Sequence, residues 1–201
     1  MPPKVSPETT DSIRQRILDV ALEHFTRYGY GKTAMADIAN DADMSTANLY
    51  RYFGNKLDIA GACAQNCIRE NIENERQAIA GEHLSAEQKL LRLVLAMIKH
   101  CHETITEDSH LHDAVAMVSA KRPDIVHHKI DAQQGMIMEI LAHGNVTGEL
   151  DVKDIAGTAK TILSCMVQFN VPLFVGLYSR EEFEQLARDT VALLIKGLHK
   201  D

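Results

Sequence analysis

The segment from Thr33 to Tyr52 reads TAMADIANDADMSTANLYRY and predicts two short helices with a turn between them. Thr33 can cap the first helix, because its hydroxyl can accept a backbone N–H one turn later. The apolar face of this helix is formed by Met35, Ile38 and Ala39. Residues 40–43 read NDAD, which is turn composition, and aspartate tolerates the left-handed conformation that such a turn often needs.

The second helix of this segment is predicted to be short and mostly exposed. Ser45 can cap it, and Leu49 is its single buried anchor. The predicted exposed positions are Thr46, Ala47, Asn48, Tyr50, Arg51 and Tyr52. Small residues let the backbone approach a major groove, asparagine can read base edges, and tyrosine and arginine can hold phosphates. The segment is therefore predicted to be a DNA-binding helix-turn-helix.

The residues around this motif resemble the TetR family of bacterial one-component regulators. The similar stretch runs from Ile13 to about Ile59, and its most specific parts are FTRYG, TAMADIA and LYRYFGNKLDI at their mutual spacing. Two positions depart from the family pattern. Asp43 stands where the inter-helix turn usually has glycine, and Ala47 stands where the recognition helix often has glycine.

The resemblance implies an all-α fold of about nine helices. A three-helix DNA-binding domain would come first, followed by a helical domain for effector binding and dimerisation. The corresponding segments are a flexible arm over 1–9, the DNA-binding domain over 10–54 and the helical domain over 55–201. In the family, a ligand enters a cavity among the C-terminal helices, the fourth helix swings, and the affinity for DNA falls.

Composition agrees with a globular protein of one or two small domains. The chain has 201 residues, 45% of them hydrophobic and 24% charged, with a net charge of −7. Seven basic and seven acidic residues lie in the segment through Lys56, so the rest carries the whole negative charge. No apolar run is long enough for a membrane span, and the N-terminus has no apolar signal core. With four cysteines and no export signal, we expect a cytoplasmic protein with reduced thiols.

Helix boundaries can be predicted from capping patterns along the rest of the chain. The sequence predicts capping boxes at Asn55 with Asp58, Ser85 with Gln88, and Ser179 with Glu182. A helix over about 111–120 should stop near Pro123, which can open the next helix as far as Gly144. Asp151 is predicted to cap a long apolar helix through Phe169 that is perturbed at Pro172.

The candidate DNA contacts are side chains of the motif and its flanks. Thr46 and Asn48 are the predicted base readers, and by family resemblance Tyr50 contacts DNA in preference to Tyr52. The full predicted set is Lys32, Thr33, Ser45, Thr46, Asn48, Tyr50, Arg51, Tyr52 and Lys56. The expected partner is a double-stranded DNA operator.

One short recognition helix reads too few base pairs to select an operator, so we expect a homodimer on a palindromic site. The last two helices are long and apolar, and small residues in the first of them allow close approach. Family resemblance implies a four-helix seam there. The predicted interface residues are Ile155, Ile162, Met166, Leu186, Val191 and Leu194.

The expected effector is a small organic molecule, and the expected regulator is a repressor that the effector releases from DNA. Methionine and aromatic side chains are frequent in the C-terminal part, and methionine adapts to varied shapes. The predicted pocket residues are Met97, His100, Met117, Met136, Met166 and Phe169. An activator with the same fold remains an alternative.

A metal-responsive regulator is the second alternative, because the chain has ten histidines. His100 and His102 point to nearly opposite sides of one helix, and His110 with His112 could chelate only outside a helix. Cys63 and Cys67 share a helix face, although a free cysteine is usually a small core residue. We therefore assign no metal ligands and no cofactor. An enzyme is a remote alternative, since no phosphate loop, nucleophile elbow or metalloprotease motif occurs.

Overall fold

The fold was determined as a computed structural model, which describes residues 9–81, 83–104, 110–171, 174 and 177–199. These residues form nine α-helices and a short 3-10 helix, so the expected all-α fold is confirmed. The α-helices are α1 Thr10–Tyr28, α2 Met35–Asp41, α3 Thr46–Leu49, α4 Lys56–Ile79, α5 Ala86–Thr104, α6 Leu111–Lys121, α7 Pro123–Thr147, α8 Ile155–Cys165 and α9 Arg180–Lys196. The 3-10 helix is Val167–Phe169. Most of the predicted arm over 1–9 lies outside the described residues.

The described residues group into two compact units. The first comprises those within 1–67 and 107–125, and the second comprises those within 68–106 and 126–201. The division falls inside α4 and α7, so each of these helices contributes to both units. The functional division between residues 54 and 55 stays a prediction.

The first unit is built on the apolar face of α1. Its buried residues recur at helical spacing and include Ile17, Leu18, Ala21 and Phe25. Thr9 caps the helix, since its hydroxyl accepts the Ser12 N–H at 3.2 Å. The backbone N–H of His110, at the start of α6, donates to the Thr26 carbonyl at 2.9 Å.

The second unit has a single apolar core to which α5, α7, α8 and α9 contribute. The fully buried members on α5 recur three or four residues apart. They are Leu90, Leu93, Val94, Met97 and Ile98. The predicted capping boxes at Ser85 with Gln88 and at Ser179 with Glu182 both form, which confirms those two helix starts. Pro123 opens α7, as expected.

Three predicted boundaries in this unit were wrong. α7 continues past Gly144 to Thr147. α8 is capped by Asp154, whose carboxylate accepts the Gly157 N–H at 2.9 Å, and not by Asp151. The backbone N–H of Asp151 instead donates to the Leu198 carbonyl, which holds this residue outside the helix. α8 ends at Cys165, and the predicted perturbation at Pro172 lies outside the described residues.

In the part of the chain that the structure describes, no helix combines the length and the apolar character needed to cross a bilayer.

Candidate functional site

The second helix of the motif, α3, has only four residues and depends on its ends for stability. Ser45 caps it as predicted, because its hydroxyl accepts the Asn48 N–H at 3.2 Å. Leu49 is fully buried, and the Phe53 N–H continues the turn by donating to the Leu49 carbonyl. The recognition segment is thus anchored on one side and open on the other.

The open side of α3 carries the predicted contact residues. Tyr50 has 52% of its surface exposed, whereas Tyr52 is half-buried, so Tyr50 is the more accessible of the two. Arg51 is exposed, and Thr46 and Asn48 are half-exposed. Lys32 and Ser45 also lie at the surface of this unit. The structure therefore keeps amide, hydroxyl, phenol and guanidinium groups accessible along one short segment.

The turn between α2 and α3 has the expected left-handed residue. Asp43 has φ 54°, in the region that a Cβ makes unfavourable for most residues. The Asp43 N–H donates to the Asn40 carbonyl, and the Met44 N–H donates to the Ala39 carbonyl, so the turn is closed by backbone bonds. Aspartate thus does here what glycine does in the family pattern, at some cost in conformational energy.

Arg14 supports the recognition segment from α1, and the helix-turn-helix motif does not predict this residue. Its guanidinium donates to the Tyr52 carbonyl at 2.7 Å and lies 4.2 Å above the centre of the Phe53 ring. Arg14 and Tyr52 are 38 positions apart, so no local pattern signals the contact. The contact fixes the backbone that follows Tyr50 and Arg51.

A second pair holds α1 against α2. The ring nitrogen Nε2 of buried His24 lies 2.7 Å from the Asp41 carboxylate. Hydrogen bonding to His24 is the main reason that the pKa of Asp41 is lowered. The bond connects the C-terminal part of α1 to the last residue of α2.

Thr33 and Lys56 make contacts within the first unit, and their role in phosphate binding stays a prediction. Thr33 is buried and its hydroxyl donates to the Gly29 carbonyl at 2.9 Å, so the prediction that it caps α2 was wrong. The N-cap residue is Ala34, and the Asp37 carboxylate accepts the Ala34 N–H. The Lys56 ammonium donates to the carbonyls of Tyr30 and Thr33 at 2.6 and 2.7 Å, and it lies over the Tyr30 ring. Burial lowers the pKa of Lys56. These contacts fix the α1–α2 connection.

Replacing Lys56 by methionine should lower the free energy of unfolding by about 1–3 kcal/mol, because two carbonyls lose a charged donor. The matched control is Lys32→Met, which removes the same charge at an exposed position and should change stability by less than about 0.5 kcal/mol. Urea unfolding of both variants measures the difference. Equal stability of the two variants, with DNA binding weakened in Lys56→Met, would instead assign Lys56 to phosphate binding.

The last two helices present an apolar surface that the protomer does not cover. Met166 and Val191 are buried in the protomer's own core, so these two predicted interface residues do not lie on that surface, whereas Ile162 is buried but also lines the surface groove between the two helices. Leu193 is 73% exposed, and Leu194 beside it is half-buried. A shallow groove between α8 and α9 is lined by Gly157, Thr161, Leu193, Leu194 and Leu198, among others. Ile155 and Leu186 are half-buried.

Four of the predicted pocket residues lie together in the core of the second unit. Met97, Met136, Met166 and Phe169 are all fully buried there. His100 is half-buried on the same helix as Met97, and burial together with the positive charge of Lys129 lowers its pKa to about 4. Met117 belongs to α6, in the first unit, and is half-buried.

A buried amide–carboxyl cluster within the second unit was not predicted. It consists of Asn71 and Glu75 on α4, Gln133 on α7, and Asn170 after the 3-10 helix. The Gln133 amide donates to Glu75 Oε1 at 2.8 Å, and the Asn170 amide donates to Gln133 Oε1 at 2.7 Å. Asn71, Glu75 and Gln133 have at most 1% of their surface exposed. Burial raises the pKa of Glu75, while hydrogen bonding to Gln133, the charge of Lys129 and the Asn71 side chain oppose the rise.

The sulfur and histidine groups of the described residues do not assemble a metal site. No three His, Cys, Asp or Glu side chains lie close enough together, within the described ranges, to hold an ion. The Cys63 thiol donates to the Leu18 carbonyl, and burial, together with the nearby negative charge of Asp19, raises its pKa to about 12. His110 precedes α6, and the His112 side chain lies outside the described residues.

Comparison with known proteins identifies both parts of the chain. Residues 17–63 match the family model for bacterial regulatory proteins of the tetR family, and residues 86–191 match the model for the tetracyclin repressor-like C-terminal domain. The chain is similar to the fatty acid metabolism regulator protein of Bacillus subtilis, with 22% identity over 188 residues that cover 92% of this chain and 94% of that protein.

Solved structures show the same fold. A protein from Mesorhizobium loti described as a TetR-family transcriptional regulator superposes with a TM-score of 0.78 and 18% identity, covering 96% of this chain and 100% of that one. The regulator FadR from Bacillus subtilis, solved in complex with stearoyl-CoA, superposes with a TM-score of 0.67 and 19% identity, covering 92% of this chain and 99% of that one.

Proposed function

The chain belongs to the TetR family of transcriptional regulators, and from this premise we propose that it is a repressor that binds a palindromic operator as a homodimer and is released by a small organic effector. Its matched domains and relatives are regulators and not enzymes. The repressor assignment, the dimer, the form of the operator and the chemistry of the effector are the proposed parts.

The proposal of operator binding rests on the solvent-exposed side of α3. Tyr50 and Arg51 are exposed, and Asn48 beside them is half-exposed. The opposite side of this segment is anchored by buried Leu49 and by Arg14, which donates to the Tyr52 carbonyl. Short anchored helices of this kind place side chains against base edges while flanking groups hold phosphates. Asn48 and Thr46 are the proposed base readers. Tyr50, Arg51 and Lys32 are the proposed phosphate contacts, with Ser45 and Tyr52 at the edges.

Dimerisation is proposed to use the exposed surface of α8 and α9. An apolar residue as exposed as Leu193 is unfavourable in water, and a two-fold partner would cover it with the same surface. Gly157 and Thr161 on α8 leave room for close approach. The proposed seam therefore centres on Leu193 and Leu194, with Ile155 and Leu186 at its half-buried margin.

The proposed effector is a small organic molecule with a substantial apolar part. The core of the second unit offers three buried methionines, which can repack around a guest. A relative of similar length regulates fatty acid metabolism, and the FadR structure contains stearoyl-CoA. The effector can lower operator affinity only by binding the DNA-free state more tightly, commonly by about 1–3 kcal/mol.

Selection of binding sequences from random duplex DNA, combined with a reporter, tests the operator, the dimer and the repressor assignment. The expected result is a short palindrome bound by two protomers, with repression of a reporter placed downstream. A selected site without two-fold symmetry would contradict the dimer model. Increased transcription from the reporter would assign an activator of the same fold.

Arg51→Ala should weaken operator binding evenly across sequences and reduce the salt dependence of the association constant by up to about one unit of slope, because one phosphate contact is lost. Fluorescence anisotropy at several salt concentrations measures the slope. Lys99→Ala is the matched control, since it removes one exposed positive charge from α5. An unchanged slope in Arg51→Ala would exclude Arg51 from phosphate binding.

A further inference from the structure

Two side chains of the buried amide–carboxyl cluster are incompletely paired. The Oδ1 and Nδ2 of Asn71 and the Oε2 of Glu75 make no hydrogen bond of good geometry among the described residues, although the Asn71 side chain is near enough to Glu75 to lower the pKa of its carboxyl group. Gln133 and Asn170 satisfy one another and the other carboxylate oxygen. A buried polar atom without a partner costs free energy, and such atoms require an explanation. The unpaired atoms of Asn71 and Glu75 lie one turn apart on α4.

A protonated nitrogen is the ligand group that complements this arrangement. Its N–H groups can donate to Glu75 Oε2 and Asn71 Oδ1, and its charge offsets that of a carboxylate removed from water. An anionic group would instead bring a second negative charge to Glu75. Lys129 and His100 are the other titratable groups that bear on this region, and Lys129 already acts on Glu75 through its charge.

The apolar surroundings of the cluster fit the rest of such a ligand. Met136 lies three positions after Gln133 on α7, and Phe169 directly precedes Asn170; both are fully buried. Met97 and Met166 belong to the same core. Because this core is closed, a ligand must displace side chains to enter, and methionine permits this at low cost.

We propose that the effector is an organic cation whose protonated nitrogen binds between Glu75 and Asn71 and whose apolar part replaces methionine contacts in the core. The proposal rests on the proposed effector function. Its route to DNA binding is α4 itself, because this helix carries Asn71 and Glu75 and begins at Lys56, which holds the carbonyls of Tyr30 and Thr33. A ligand that shifts α4 therefore acts on the α1–α2 connection.

Four probes that share a ten-carbon chain and differ in their head group test which charge the site prefers. They are decylamine, decanol, decanoate and decyltrimethylammonium, each used below its micellar concentration. We expect decylamine to raise the melting temperature and release operator at concentrations at least ten-fold lower than decanol or decanoate. Decyltrimethylammonium, which has the charge but no N–H, should act more weakly than decylamine. Decanoate acting at or below the concentration of decylamine would overturn the proposal.

Glu75→Gln tests the site with nearly the same shape and no charge. It should reduce the preference for decylamine over decanol at least ten-fold. The matched control is Glu139→Gln, an exposed position on α7, which should respond as the wild type does. If Glu75→Gln does not fold, Asn71→Ala supplies the second variant and should weaken the decylamine response. A wild-type response in both cluster variants would overturn the proposal.

The outcomes also separate this inference from the proposed function. Operator release by decanoate or stearoyl-CoA, with none by decylamine, would support an organic effector and overturn the cation. Stabilisation by decylamine in the wild type but not in Glu75→Gln, without operator release, would support the cation site and contradict its role as an effector site. No response to decylamine in either assay would overturn the cation site.

Discussion

Replacing Leu193 by aspartate should convert the protein from a dimer into a monomer and weaken operator binding by more than about 100-fold. The two-fold seam would contain the new carboxylate twice, and a charge buried without a partner costs about 3 kcal/mol or more. A monomer also loses the second half-site, on which tight binding depends. Sedimentation velocity at micromolar concentration and anisotropy with the selected operator measure the two effects.

Val146→Asp is the matched control for this prediction. Val146 is even more exposed than Leu193, but it lies in the last turn of α7 and outside the proposed seam. The same change in chemistry there should leave the dimer intact. A Leu193→Asp variant that remains a dimer and binds the operator tightly would show that the protein associates through another surface.

Replacing Asn48 and Tyr50 together by alanine should weaken operator binding by about 2–5 kcal/mol, since one base-reading amide and one phosphate-facing phenol are lost. The Asn48→Ala change alone should also relax the base preference at one symmetric pair of operator positions. Binding to operator variants with single substitutions measures this, at an expected difference of about 1–3 kcal/mol per mismatch in the wild type.

Tyr28→Ala provides the control for Tyr50, because both side chains are exposed to a similar extent in the first unit. Tyr28 lies at the end of α1, where it contacts His24 and Arg27, so its removal affects α1 and not α3. Equal losses of operator affinity in the Tyr28 and Tyr50 variants would show that exposure alone, and not position on the recognition segment, determines the effect.

Local patterns were sufficient to predict most helix starts. Serine or asparagine followed three residues later by an acid or amide forms a cap at Ser85 and Ser179, and the Asn55 side chain accepts the Asp58 N–H while its amide donates to the Asp58 carboxylate. Each of these bonds joins residues three positions apart, which a sequence pattern can represent. Asp151 failed as a cap because a distant residue, Leu198, engages its backbone.

Contacts between residues that are far apart in the sequence explain the other differences between the predictions and the structure. Apolar spacing cannot distinguish residues that fill the protomer's own core from residues that would meet a second copy, so the pattern groups Met166 and Val191 with Leu194. Glu75 and Gln133 are 58 positions apart, and each looks like an ordinary surface residue of its helix. The charge of Lys56 predicted a phosphate contact, whereas the structure shows that its ammonium also donates to carbonyls 23 and 26 positions away.

Because α3 is short, a peptide that imitates its DNA-facing surface would need support from other parts of the protein. Four residues make too few internal hydrogen bonds to hold a helix in water, so a synthetic peptide of residues 33–52 would lack the conformation that it has in the protein. The supporting contacts from Arg14 and Lys56 lie outside that peptide. A decoy that competes for the operator would therefore need α1 and the start of α4 as a scaffold, and the smallest useful graft is the whole first bundle of helices.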